Sequence, residues 1–143
     1  MKLIKECKET YKISENTDVM KFLKEFAKEK KEYLIVIGLS SKNMVIYREI
    51  VTIGILDSCL WHPREVFKNA IIRSAATIIV AHNHPSGDLE PSKEDLKMDK
   101  RLKECGELLH IKVLDNVIFN TKKCKSIGGL EWNSTKRSGL SKD

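Results

Sequence analysis

No stretch of this chain approaches the ~20 consecutive apolar residues that a membrane-spanning helix needs. Its first seven residues are short and charged, unlike the apolar core of a signal peptide. Cysteine is sparse: the four residues at 7, 59, 105 and 124 form no C-x-x-C and no tight cluster. That spacing excludes a cysteine zinc knot and fits reduced, structural thiols of a cytoplasmic protein better than a disulfide framework. Proline is scarcer still, and the three that occur, Pro63, Pro85 and Pro91, fall at a helix start or in a turn. There is no internal repeat. What remains, 41% hydrophobic and 32% charged over 143 residues, is the composition of one globular domain large enough to bury a core without staples.

Positive charge is in excess, with 26 Lys and Arg against 20 Asp and Glu, but it is unevenly placed. Six basic and two acidic residues lie from Thr121 onward, so +4 of the net +6 belongs to the last stretch. Residues 133–143 have few large apolar side chains and read as a frayed or disordered basic tail behind a single domain of residues 1–132. Such a tail binds phosphate weakly and without sequence preference, which makes weak nucleic-acid contact an expectation and a recognition surface not one.

The informative stretch is Ala81-His82-Asn83-His84-Pro85-Ser86-Gly87, continuing through Pro91-Ser92 to Asp95. It follows the apolar, β-branched run 75–80, which reads as a buried strand, and precedes a charged helical segment beginning at Ser92. Histidines at i and i+2 of an extended segment point to the same side. Asp95, in the first turn of the next helix, adds a carboxylate, and two His, one Asp and an open position make the ligand count of a catalytic rather than a structural zinc. A plainer account is available: Ser92 and Asp95 stand in the S-x-x-[DE] relation of a capping box, which needs no metal. Ser92 can cap the helix and take part in chemistry at once.

Around this motif the spacing predicts a short strand over 3–7, then a helix capped by Thr17 and ending near Lys31 with Val19, Phe22, Leu23 and Phe26 inward. Strands over 33–39 and 44–53 form a hairpin through Ser41-Lys42-Asn43, closed by Gly54. A helix starts at Trp61-His62-Pro63 with Val66, Phe67, Ala70 and Ile71 inward; His62 reads as a cap or exposed residue rather than a ligand. The helix from Ser92 to about Leu109 turns Leu96, Leu102, Leu108 and Leu109 inward, and 111–119 is the last strand.

The His82–Gly87 run with Pro91, Ser92 and Asp95 resembles the RadC family of JAB/MPN metalloprotease-like domains, whose shared signature is called JAMM. Gly54, Pro63-Arg64-Glu65-Val66-Phe67 with Ala70, and Val113-Leu114-Asp115 followed by Ile118 extend the likeness from about Leu3 to Leu130. The resemblance implies a three-layer α-β-α fold with a mixed central sheet, laid out like the cytidine deaminases. It implies one zinc ion held by His82, His84 and Asp95, with a water as fourth ligand and Ser92 beside it. It also implies a glutamate just before the first central strand, the position of Glu32, with Glu49 and Glu90 as rivals. The implied activity is hydrolysis of a peptide or isopeptide bond in a protein or peptide substrate, with Glu32 and Ser92 catalytic.

The alternative is a DNA-associated accessory protein of repair, recombination or mobile-element transfer with a structural or vestigial metal site. Many family members carry a helical region of helix-hairpin-helix character, for which this chain has no room, so the DNA role is the lesser expectation. A nuclease of the HNH type is disfavoured, because those enzymes spread the three residues over a ββα unit. Three positions depart from the family pattern: Asn116 stands where a histidine is common, and Asp99 and His110 where Thr and Gly are expected.

Overall fold

A computed structural model describes residues 3–54 and 62–127. Cys59, Trp61 and the basic tail lie outside the described residues. The elements in chain order are β1 (Ile4–Glu6), α1 (Asn16–Phe22), a 3-10 turn (Lys24–Phe26), β2 (Tyr33–Leu39) and β3 (Val45–Ile53). They continue with α2 (Pro63–Ile72), β4 (Thr77–Asn83), α3 (Lys93–Leu109), β5 (Lys112–Phe119) and β6 (Cys124–Ser126). The strands form one six-stranded sheet in the order β1-β3-β2-β4-β5-β6. Every neighbouring pair is antiparallel except β4 and β5, which run parallel around α3. This is a mixed α/β architecture consistent with the JAB/MPN fold.

Alternation along the central strands divides the core in two. Ile35, Ile37 and Leu39 of β2 face a cluster with Ile13, Val19, Leu23 and Phe26, so α1 and the 3-10 turn cover one face. Leu34 and Val36 face the opposite way, among Val66, Phe67, Met98 and Leu102 of α2 and α3. β2 is buried at all seven positions, as a continuous apolar run requires of a strand covered on both sides.

The hairpin over β2 and β3 forms as its sequence predicts, with Asn43 taking the left-handed conformation (φ 61°) in the turn. β4 runs further than predicted, to Asn83, so His82 and Asn83 belong to the strand itself. The helix predicted from Thr17 to Lys31 is shorter. It is entered at Glu15, with Asp18 Oδ2 accepting from the Ser14 and Glu15 amides at 2.8 and 3.1 Å, and it ends at Phe22. Beyond it, the carbonyls of Glu29 and Lys31 accept from the Asn83 side chain.

α3 is rotated from its predicted inner face. Of the four leucines, Leu102 alone is buried, while Leu96, Leu108 and Leu109 are 50%, 82% and 44% exposed. The face against the sheet is Asp95, Met98, Asp99, Leu102 and Gly106, spaced for one stripe of a helix but carrying two carboxylates that no hydrophobicity pattern selects. Ile71 is likewise exposed rather than inward. β6 was not expected; Asn120 Oδ1 accepts from the Lys122 and Lys123 amides at 2.8 and 2.7 Å and turns the chain back to pair with β5. α3 ends on His110 in the left-handed conformation (φ 57°), a cap that accounts for the glycine expected there.

Candidate metal centre

β4 delivers His82 and His84 to the end of the sheet, and the turn that follows brings α3 back over them. His84 N donates to Phe119 O and Gly87 N to His84 O, with Gly87 at a positive φ of 84° that suits glycine. Ser92 caps α3: its Oγ accepts from the Asp95 amide at 3.0 Å, and Asp95 Oδ2 accepts from the Ser92 amide at 2.8 Å. The plainer account of this pair is therefore correct as far as it goes, since the capping box is formed. The same box holds the Asp95 carboxylate against the histidines, Oδ1 towards His82 and Oδ2, the capping oxygen, towards His84.

His82 Nε2 lies 3.1 Å from His84 Nε2 and 3.3 Å from Asp95 Oδ1, and His84 Nε2 lies 3.4 Å from Asp95 Oδ2. Ligand atoms at the usual bond length of ~2.05 Å around a tetrahedral zinc stand about 3.3 Å apart; the two imidazole nitrogens are near that spacing, and each faces a different oxygen of the Asp95 carboxylate at a similar distance. His82 is fully buried and Asp95 is 3% exposed. These are a group of side chains that can hold a metal ion.

Protonation points the same way. His84 Nδ1 is 2.6 Å from the Asp88 carbonyl, which can only accept. The proton of neutral His84 therefore sits on Nδ1, and the Nε2 lone pair faces the other two groups. A lone pair directed at a carboxylate is unfavourable unless a cation or a proton lies between them. Its bond to Asp95 accordingly raises the His84 pKa, against burial, with the Asp88 carbonyl and the Asp95 and Glu32 charges adding to the rise. Burial alone would raise the Asp95 carboxyl, but hydrogen bonds from His82, His84 and the Ser92 backbone outweigh it and hold the group well below the usual carboxylate range.

Glu32 precedes β2 and is half-buried. It lines an open cleft of about 670 Å³ together with Lys31, Gly54, His84, Ser92 and Asp95. Its two rivals are elsewhere. Glu49 Oε2 accepts from Asn69 of α2 at 2.7 Å, and Glu90 is paired with Lys125 at 2.7 Å. His62 is the exposed N-cap residue of α2 and takes no part in the group.

Two features were not legible in the motif. Asp88 enters through its backbone, which leaves no trace in side-chain pattern. Asn83 enters by facing the opposite way from His82: its amide reaches the segment ahead of β2. Asn116 is fully buried and donates to Asp99 Oδ1 at 3.3 Å. Its Oδ1 and the Nδ1 of His82 are buried without a hydrogen-bond partner.

Comparison with known proteins follows from residues 13–132, which match the model of the RadC-like JAB domain. A UPF0758 protein of Staphylococcus haemolyticus is 49% identical over 120 residues, covering 83% of this chain and 53% of that protein. A UPF0758 protein of Geobacillus kaustophilus is 52% identical over 96 residues, 67% of this chain and 42% of its own length. One from Bacillus cereus is 43% identical over 123 residues, 85% and 55% respectively. The chain thus spans about half the length of the curated relatives it matches, and their names state no activity.

Proposed function

From the premise that this chain belongs to the RadC-like JAB domain family, we propose that it is a zinc-dependent hydrolase of peptide or isopeptide bonds in a protein or peptide substrate. His82, His84 and Asp95 are the ligands, Glu32 is the proton acceptor and Ser92 the hydrogen-bond donor to the substrate. The observation that carries this reading is the convergence of two imidazole Nε2 atoms and one carboxylate at 3.1–3.4 Å, with the His84 proton held on the far nitrogen. A zinc ion bound there lowers the pKa of water towards ~7 and polarises a carbonyl.

The remaining chemistry belongs to the protein. Glu32, on the cleft wall, takes a proton from the attacking water and returns it to the leaving amine. Ser92 Oγ is occupied as an acceptor by the Asp95 amide, which leaves its hydroxyl proton to be donated to the carbonyl oxygen as charge develops there, a role worth about 3 kcal/mol. Asp88 keeps His84 in the ligating tautomer through its carbonyl.

The test is metal analysis of the purified protein combined with cleavage of a peptide library by wild type, His84→Ala and Glu32→Gln. Wild type should carry about one zinc and cleave. Glu32→Gln should keep the metal and lose at least about 100-fold in rate. His84→Ala should lose both. Cleavage by His84→Ala at the wild-type rate would refute the assignment.

A further inference from the structure

The residue between the two histidines has no part in the proposed ligand set, yet it is fully buried and its side chain makes three hydrogen bonds, all to backbone. Asn83 Oδ1 accepts from the Tyr33 amide at 2.7 Å. Its Nδ2 donates to the Lys31 carbonyl at 3.0 Å and to the Glu29 carbonyl at 3.5 Å. The Lys31 carbonyl and the Tyr33 N–H belong to the two peptide units on either side of the Glu32 Cα. One side chain therefore grips both peptide planes of the proposed proton acceptor. The second plane is held again from the opposite direction, because the Glu32 carbonyl accepts from Gly54 N at 2.8 Å.

We infer that Asn83 is a positioning residue, which fixes Glu32 relative to the His82–His84 pair. The proposal rests on the reading of Glu32 as proton acceptor. Its physical basis is that residues 29–32 lie outside any strand or helix, and apart from the Gly54 bond to the Glu32 carbonyl the peptide planes flanking the Glu32 Cα are held by the Asn83 side chain. Two planes fixed at one Cα leave the glutamate only its side-chain rotamers. Chemically, the position needs one acceptor and two donors in one planar group, which asparagine supplies and which serine or aspartate does not. Since β4 places His82 and His84 on either side of the same residue, the backbone that sets the ligands also sets the base, and their separation cannot drift independently. That precision matters because a misplacement of about 1 Å can cost on the order of 100-fold in rate.

The proposal is tested with cobalt in place of zinc, reading two quantities: the cobalt dissociation constant and the pH midpoint of the visible absorption change of the loaded protein. Wild type, Glu32→Gln, Asn83→Ala, Asn83→Ser and the Asn83→Ala/Glu32→Gln double variant are compared. Removing the Glu32 charge from beside the ion should move the midpoint. Asn83→Ala and Asn83→Ser should bind cobalt within about threefold of wild type and move the midpoint in the same direction, by about half as much or more. The double variant should move it no further than Glu32→Gln, the signature of two residues acting as one unit. Asn83 variants that keep the wild-type midpoint while Glu32→Gln shifts it would overturn the proposal and leave the role of Glu32 standing. A Glu32→Gln midpoint equal to wild type would overturn the assignment of Glu32, and this inference with it. Loss of cobalt binding in both Asn83 variants would mean that the asparagine serves the ligands instead.

Discussion

Replacing Asp95 by asparagine separates the two jobs this residue does. The amide retains an oxygen to accept from the Ser92 N–H, and the backbone N–H that donates to Ser92 Oγ is untouched, so the helix cap survives. An alanine there would forfeit the side-chain half of the cap, about 1 kcal/mol. What asparagine cannot supply is the anionic ligand. At a free zinc concentration 100 times its Kd, a metal that binds only the folded chain stabilises it by about 2.7 kcal/mol. Taking about 2.1 cal/mol/K of unfolding entropy per residue, the 143 residues unfold with roughly 0.3 kcal/mol/K, so zinc should raise Tm by about 9 °C. A 100-fold weaker site at the same zinc concentration gains only about 0.4 kcal/mol, roughly 1 °C. Thermal melts at pH 7.5 with and without zinc, for wild type, Asp95→Asn and Asp95→Ala, read this directly. If zinc raised the Tm of Asp95→Asn as far as that of wild type, or raised neither, Ser92 and Asp95 would be a capping box and nothing more.

Four further outcomes are expected. In metal-stripped protein the raised His84 pKa contributes stability below about pH 6.5 that is lost as pH rises through its folded value; the depressed Asp95 pKa contributes stability above about pH 3.9 that is lost as pH falls towards its own. Urea midpoints after chelation should therefore fall between pH 6 and 8, roughly, whereas zinc affinity should rise over the same range because protons compete for the imidazoles. Glu49→Gln should leave hydrolysis within about twofold of wild type, since Glu49 bonds to Asn69 away from the cleft; a loss comparable to that of Glu32→Gln would exchange their roles. Ser92→Ala should lower stability by about 1 kcal/mol and the rate by roughly 100-fold, read by urea titration and steady-state kinetics. Gly38→Ala should destabilise by about 1–3 kcal/mol in urea titrations, because a Cβ at this position would overlap the ring of the fully buried Tyr47.

The clustering of His82, His84 and Asp95 was legible because they are close in sequence and each contributes through side-chain type: the end of a strand carries His82 and His84, and a capped helix start carries Asp95. The hairpin over β2 and β3 was legible for a similar reason, as its turn residues and apolar run act locally. The errors have a common cause in tertiary context. Leu96, Leu108 and Leu109 were assigned inward by hydrophobicity, but α3 turns Asp95 and Asp99 to the sheet, where partners await both: the histidines for one and Asn116 for the other. The Lys and Glu residues over 17–31 have good intrinsic helix propensity, yet the helix ends at Phe22, and the carbonyls of Glu29 and Lys31 accept instead from Asn83, fifty-odd positions away. Glu32 itself gave no local signal among its charged neighbours. Only the family pattern picked it out, and the fold brings it to the cleft.

His82, His84 and Asp95, the group that can hold a metal ion, lie within one strand-turn-helix unit, from β4 to the first turn of α3, while Glu32 arrives from the antiparallel half of the sheet. On the proposed reading, grip and turnover are housed in different parts of the architecture. On that reading, damage to the hairpin half yields a chain that still sequesters an ion yet hydrolyses nothing, a form invisible to any screen that scores binding alone.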